Sequence, residues 1–327
     1  MCKQTVLRWL CGCAAALLVV GSSPDDATAQ GPSDEGAPFL LLPVGARAVA
    51  LGRAVTAMPG QESAFWNPAG LASVDGSRVA LLRGDLAVGT TTAASVLFAR
   101  PGVGTLGISY LLLDAGDQEY KDVNDNLVGS ISLRNHLAVV SAAAHLLPGL
   151  DAGVNFKVVQ FRLSCRGACT GIATASTTYA VDAGLQWMPS AGTPLRLGAM
   201  VAHLGPRFQH ENASQADPLP TRVRVAASYD LLRGFGRSDL EGWFTVELQE
   251  RLRRPGDASL YVGSEIAAGG TLFLRAGYAT DADQPGGASV GLGFRVDKFD
   301  ISVAKSLASS ILPGESEPLD VSLSIGF

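Results

Sequence analysis

From Arg78 to Phe327 the chain alternates apolar and polar residues with a period of two. In LDVSLSIGF, Leu319, Val321, Leu323, Ile325 and Phe327 share one face, and Asp320, Ser322, Ser324 and Gly326 the other. In TRVRVAASY, Thr221, Val223, Val225, Ala227 and Tyr229 alternate with Arg222, Arg224, Ala226 and Ser228. In DAGVNFKVVQF, Ala152, Val154, Phe156 and Val158 alternate with Asp151, Gly153, Asn155 and Lys157. Such runs are strands with one apolar and one strongly polar face. About fourteen are expected, at 77–87, 90–100, 104–113, 134–146, 150–163, 176–188, 194–204, 220–231, 241–251, 258–267, 271–279, 288–296, 298–307 and 318–327.

Two architectures produce this pattern. A soluble sandwich turns its apolar faces inward; an outer-membrane barrel turns them to lipid and lines its lumen with the polar faces. Runs of roughly 10 residues have the length a tilted strand needs to cross a bilayer. The connections alternate too. Short ones fall at ARPGVG, LLPGLD, MPSAGTP, IAAGGT and RVDKFD; longer polar ones fall at DAGDQEYKDVNDN, SCRGACTGIATAS, GPRFQHENASQADPLP and SLASSILPGESEP. Short turns at one end and long loops at the other are a barrel habit, and an even strand count returns the chain to its starting side. The expectation is an all-β, antiparallel transmembrane barrel over 77–327.

The N-terminal residues place the chain in a cell. Lys3 and Arg8 precede an apolar run, Trp9 to Gly21, too short for a membrane span, and Ala27-Thr28-Ala29 is a cleavage pattern. Residues 1–29 therefore read as a signal peptide, with Gln30 as the mature N-terminus. Cys2, Cys11 and Cys13 leave with it. Cys165 and Cys169 remain, an even pair in a glycine-rich loop of an exported chain, which reads as a local disulfide. Charged residues make up 17% of the chain and the net charge is −5. The first is below the roughly 25% of soluble domains, and the second excludes nucleic-acid binding through bulk basicity.

Between signal and strands lies SAFWNPAGLAS, Ser63 to Ser73, which is neither a strand nor a long helix. It closes a longer segment, LPVGARAVALGRAVTAMPGQESAFWNPAGLAS. Gly45-Ala46-Arg47, Ala50-Leu51-Gly52-Arg53-Ala54, Ala64 and Asn67-Pro68-Ala69-Gly70-Leu71 resemble the N-terminal signature of the PorV/PorQ proteins, outer-membrane barrels related in architecture to the FadL fatty-acid channel. The likeness is dense over some thirty residues of Leu42 to Ser73. It implies a fourteen-stranded barrel in the bacterial outer membrane with residues 30–76 folded into its mouth or lumen as a plug. Phe65 and Trp66 would then pack on the wall. Pro68 and Asn67 favour a fixed turn, Gly70 a tight one. Phe327, ending the last strand, resembles the signal read by the barrel assembly machinery.

Signatures of catalysis are thin: G-x-S-x-G, HExxH and a phosphate-cradling glycine motif are all missing from the sequence. His136, His145, His203 and His210 are scattered over strands and a loop and read as lumen or loop residues. Asp122, Asn124 and Asn126 have the spacing that opens a calcium loop, but Leu127 and Leu133 stand where Gly and Glu are required. No enzyme activity, metal or cofactor is therefore expected. The polar strand faces instead put Asp151, Lys157, Arg222, Arg224, Glu247, Arg251 and Arg275 in the lumen, where mixed charges either fill it or line a wet path. The expected partners are outer-membrane lipid, the assembly machinery, and either secreted cargo proteins or a small hydrophobic ligand. The resemblance implies a role in type IX-like export and surface attachment. The alternative is a FadL-like channel for small hydrophobic compounds, and a third class is a secreted soluble β protein or a barrel-borne enzyme.

Overall fold

The computed structural model describes residues 35–327 apart from 87–88, 170–172, 190–192, 209–215, 235–239, 254, 257, 281–285 and 308–317. The expected signal peptide, residues 1–29, and His210 lie outside the described residues. Fourteen antiparallel strands form a closed barrel: β1 (Arg78–Leu86), β2 (Gly89–Arg100), β3 (Gly104–Lys121), β4 (Leu127–Leu147), β5 (Leu150–Gly167), β6 (Thr174–Trp187), β7 (Leu195–Leu204), β8 (Arg222–Asp230), β9 (Leu240–Arg251), β10 (Ser259–Ala268), β11 (Leu272–Thr280), β12 (Gly287–Val296), β13 (Phe299–Ser306) and β14 (Leu319–Gly326). Each strand pairs with its neighbours in sequence. β14 closes on β1, with Leu81 opposite Leu323.

The period of two separates inside from outside. Val154, Phe156 and Val158 of β5 and Leu323 and Ile325 of β14 are exposed on the outer wall, while Asn155, Lys157, Ser322 and Ser324 are buried within. A soluble sandwich would have put the apolar set inside, so the inverted pattern is that of a wall built to touch lipid. No described helix is long and apolar enough to cross a membrane, which says nothing about crossing by strands.

Two expectations about the rims are corrected. DAGDQEYKDVNDN is no long loop: β3 continues to Lys121 and β4 begins at Leu127, so the two strands, with β5 paired to β4 as far as Gly167, project past β2 and meet in a tight turn. Gly116, at φ +77, donates its amide to the Asp114 carboxylate (2.9 Å) inside a ladder irregularity between Asp114 and Asp117. In the turn, the Asp122 carboxylate accepts the amides of Asn126 (3.0 Å) and Asn124 (2.8 Å) and the Asn126 side chain (3.1 Å). The Asn126 bonds, with that from Asn124, hold its carboxyl below the usual range. SCRGACTGIATAS is likewise partly strand, since β5 runs to Gly167 and β6 starts at Thr174. Along these extensions residues on both strand faces are exposed, as at 116–119, so the apolar mark that reveals a strand is lost there.

Residues 35–76 fold inside the barrel as short pieces. These are 3-10 turns at Pro38–Leu41, Gln61–Ala64 and Pro68–Leu71 and one helix, α1 (Ala46–Ala50). A second short helix, α2 (Leu231–Gly234), follows β8. Ala46, Ala48, Ala50, Ala54, Ala57, Ala64 and Ala69 of the inner segment are all essentially inaccessible. Small residues are what a chain threaded through a narrow lumen requires, because larger ones would collide with inward-facing side chains.

Candidate functional site in the plugged lumen

The aromatic knot is held by its own turn chemistry and by the wall. Asn67 caps the 3-10 turn Pro68–Leu71 by accepting the Ala69 amide (3.1 Å). Its side-chain amide donates to the carbonyls of Thr56 (2.8 Å) and of Leu185 on β6 (3.1 Å). Every polar atom of this buried side chain is therefore used. Trp66 donates its indole N–H to Val44 O (2.9 Å) and packs with Ala48, Leu51, Val55, Met58 and Trp243. The Arg224 guanidinium lies 4.9 Å from the Trp66 ring centre. Phe65 is partly buried and touches three apolar clusters at once.

Two wall carboxylates, Glu265 and Glu247, and one plug carboxylate, Glu62, hold the segment. Glu265 takes a two-point contact from Arg47 (Nε and Nη2, both 2.9 Å) and a third bond from Arg275 Nε (2.6 Å). Arg47 Nη1 also reaches Pro59 O (2.6 Å) and Arg275 Nη1 reaches Ser302 Oγ (3.0 Å). Glu62 caps α1: its carboxylate accepts the amides of Ala48 (2.9 Å) and Arg47 (3.3 Å) and the hydroxyl of Ser322 (2.9 Å). A negative group at a helix N-terminus meets the positive end of the backbone dipole. Burial nonetheless raises the Glu62 carboxyl above the usual range, against the pull of these three bonds. Glu247 accepts both the amide and the hydroxyl of Thr56 (2.8 Å each). Deeper in, Asp182 holds Lys157 Nζ (2.6 Å), the His203 amide (2.8 Å) and Asn155 (2.9 Å).

Two glycine pairs make room for the plug. Gly153 of β5 faces Gly184 of β6 in register, and a β-carbon on either would collide with the plug, Gly153 with Pro68 and Ala69, Gly184 with the Asn67 side chain. Gly263 and Gly277 form the corresponding pair on β10 and β11, against Leu51 and Gly52. Backbone therefore lies on backbone at two places on the wall.

The lumen is divided by chemistry. Toward the end bearing the β3–β4 projection the inner wall is apolar: Leu82, Leu111, Leu113, Leu137, Val139 and Val159 are buried against Phe39, Leu40 and Val44 of the plug and Phe208 and Leu219 of the β7–β8 connection. The polar strand faces were expected to line the lumen, and along this stretch apolar residues do so instead. The sequence signal lies where alternation fails, in the runs Tyr110–Leu113, Leu137–Val140 and Val158–Val159. A cavity of about 20 Å³ remains there, with Lys157, His203 and Arg224 at its polar side. At the short-turn end a cavity of about 230 Å³ opens between plug and wall, lined by Arg47, Trp66, Arg196, Trp243, Glu265 and Arg275 among others. Arg196 lies 4.3 Å from the Trp243 ring centre.

Lys157, Arg222, Arg224, Glu247 and Arg275 are all buried on the inner face. Arg222 pairs with Glu35 of the plug (2.7 Å). Asp151 stands at the short-turn rim, accepting Ser73 Oγ (2.9 Å) and touching His145. Arg251 is half-buried opposite Arg222 in the ladder. Cys165 and Cys169 are joined. Phe327 follows β14, donates its amide to Ser77 O (2.9 Å) and sets its ring edge-on to Phe98. His136, expected in lumen or loop, faces outward beside Tyr110. Sequence reasoning gave no role to Arg47, Glu62, Asp182 or Glu265. The last two are isolated acids at inward positions of otherwise uncharged strand runs, which is the one mark that singles them out.

No family model matches the chain, and no curated protein matches it in sequence. Solved structures match in fold. A Pseudomonas aeruginosa FadL homologue shares 10% identity at a TM-score of 0.57, over 88% of this chain and 99% of that one. The CymD monoaromatic hydrocarbon channel shares 14% at 0.60, over 87% and 97%. The P. putida toluene transporter TodX shares 13% at 0.58, over 86% and 98%. Identities this low speak to architecture alone and leave the PorV/PorQ likeness resting on residues 42–73. In architecture, the chain is a closed, fourteen-stranded antiparallel barrel of FadL-like fold.

Proposed function

We propose that this protein is a bacterial outer-membrane channel for small hydrophobic compounds, with residues 35–76 occupying its path at rest. The apolar inner wall carries the reading. Leu111, Leu137, Val139 and Val159 are covered by Phe39, Leu40 and Val44, residues that a hydrophobic solute could replace without leaving buried polar groups unpaired. The fold likeness to a hydrocarbon channel and a toluene transporter points the same way. The export role implied by the PorV/PorQ resemblance would use the same barrel, but it gives no reason for an apolar interior.

The test is a planar-bilayer and vesicle-uptake comparison of Gln30–Phe327 with a form lacking residues 30–76. Entry of a labelled monoaromatic hydrocarbon faster than into protein-free vesicles is the expected outcome, with conductance steps appearing or growing on deletion. Uptake no faster than the lipid background in either form would refute the channel. Heat-modifiable β structure with neither conductance nor uptake would favour the export role, through a filled barrel.

A further inference from the structure

The outer wall of β3–β6 changes character along its length. On β5 the outward positions read Val154, Phe156 and Val158, then Gln160, Arg162, Ser164 and Arg166. On β4 they read Val140 and Ala138, then His136, Arg134 and Ser132. The change is marked by tyrosines: Tyr179 stacks on Phe156 (centroids 6.3 Å apart), and Tyr110 hydroxyl contacts His136 Nδ1 (2.6 Å). Tyrosines at such a boundary mark the level of lipid headgroups.

Just past that line Arg134 and Arg162 stand directly opposite one another in the β4–β5 ladder. Like charges in that relation are destabilising. Arg134 has Asp114 as a partner (3.0 Å), whereas Arg162 and Arg166 have no ion pair among the described residues. The other nearby acid, Asp117, is engaged by Ser132, and the residue beside Arg162 on β6 is Ala175. A recess of about 340 Å³ is lined by Ser132, Arg134, His136, Arg162, Ser164 and Arg166. The Cys165–Cys169 disulfide fixes the backbone on which Arg166 sits.

We infer that this outward recess binds a phosphate monoester, borne by the headgroup of a glycolipid in the outer leaflet. Guanidinium forks match phosphate oxygens in pairs, the Ser164 hydroxyl supplies a further donor, and an anion between Arg134 and Arg162 removes their repulsion. The recess is on the outer wall, at headgroup height and outside the lumen, so its ligand is not the transported solute. The inference rests on the membrane placement proposed above and is independent of what the channel carries.

The test uses the full mature chain in detergent with bisphosphorylated lipid A as the probe, and the same lipid stripped of its phosphates as the comparison. The phosphorylated lipid is expected to bind, and Arg162→Gln with Arg166→Gln together to weaken it by about tenfold or more. Arg100→Gln, at the opposite rim, is expected to leave binding unchanged. Equal affinity for both lipids, or a double variant that binds like the parent, overturns the proposal. Displacement of the lipid by an equimolar amount of inorganic phosphate overturns its lipid-borne source, and failure to displace supports it. Bilayer insertion is scored on the same preparation. A chain that inserts but does not discriminate the lipids refutes the recess alone, while a chain that never inserts refutes the membrane placement as well.

Discussion

Glu265 stands between two guanidiniums, one from the plug and one from the wall, and shows how single residues hold the lumen shut. Glu265→Gln would leave the part-buried Arg47 and the buried Arg275 near one another without their shared counter-charge. Breaking a buried pair in this way costs on the order of 3 kcal/mol. Urea unfolding of the barrel in lipid vesicles should report the loss, and an unchanged midpoint would mean that water replaces the carboxylate. Asn67→Ala removes the turn cap and two donors together, which predicts a loss of about 2 kcal/mol by the same measurement. At this scale the sequence was partly legible. Asn67-Pro68 announced a capped turn through residue chemistry alone. The partners of Arg47 and Glu62 were not, because Glu265 and Ser322 are more than 200 positions away in the chain and only closure brings them near.

Among elements, the strands were the readable part. Wherever a strand has lipid on one side and polar lumen on the other, the period of two marks it. The mark fails at the β3–β4 projection, where both faces are wet, and at Leu137–Val140, where both are apolar. The glycine pairs carry an element-level prediction. Gly184→Leu puts a side chain where Asn67 lies and should unseat the plug while the outer face of β6 stays intact. Limited trypsin digestion would then cut at Arg47 and Arg53 in the variant and spare them in the parent. Protection in both would show that the wall yields instead. The same digestion of Gly76→Ala, a position with open space around its α-carbon and a positive φ, should leave Arg47 and Arg53 spared as in the parent.

For the whole molecule, the division of the lumen into an apolar half and a charged half follows from which segment of the plug each half meets. Phe39, Leu40 and Val44 lie on the apolar half; Arg47, Thr56 and Glu62 lie on the charged one. A solute that displaces the first group need not break the ion pairs of the second. That predicts uptake surviving Phe39→Ala and Leu40→Ala, with leakier conductance, but collapsing when residues 46 and 322 are cross-linked only if the charged half must move as well. Flux through the cross-linked pair decides between a swinging tip and a departing plug. One contact reaches beyond transport. Ser322 lies on β14, the strand that seals the barrel against β1, and the same hydroxyl accepts the Ala46 amide (2.8 Å) and donates to Glu62. The strand that closes the barrel therefore touches the inner segment at the seam itself. The seal and the stopper thus share one fastener, so that a change which loosens either is felt by the other.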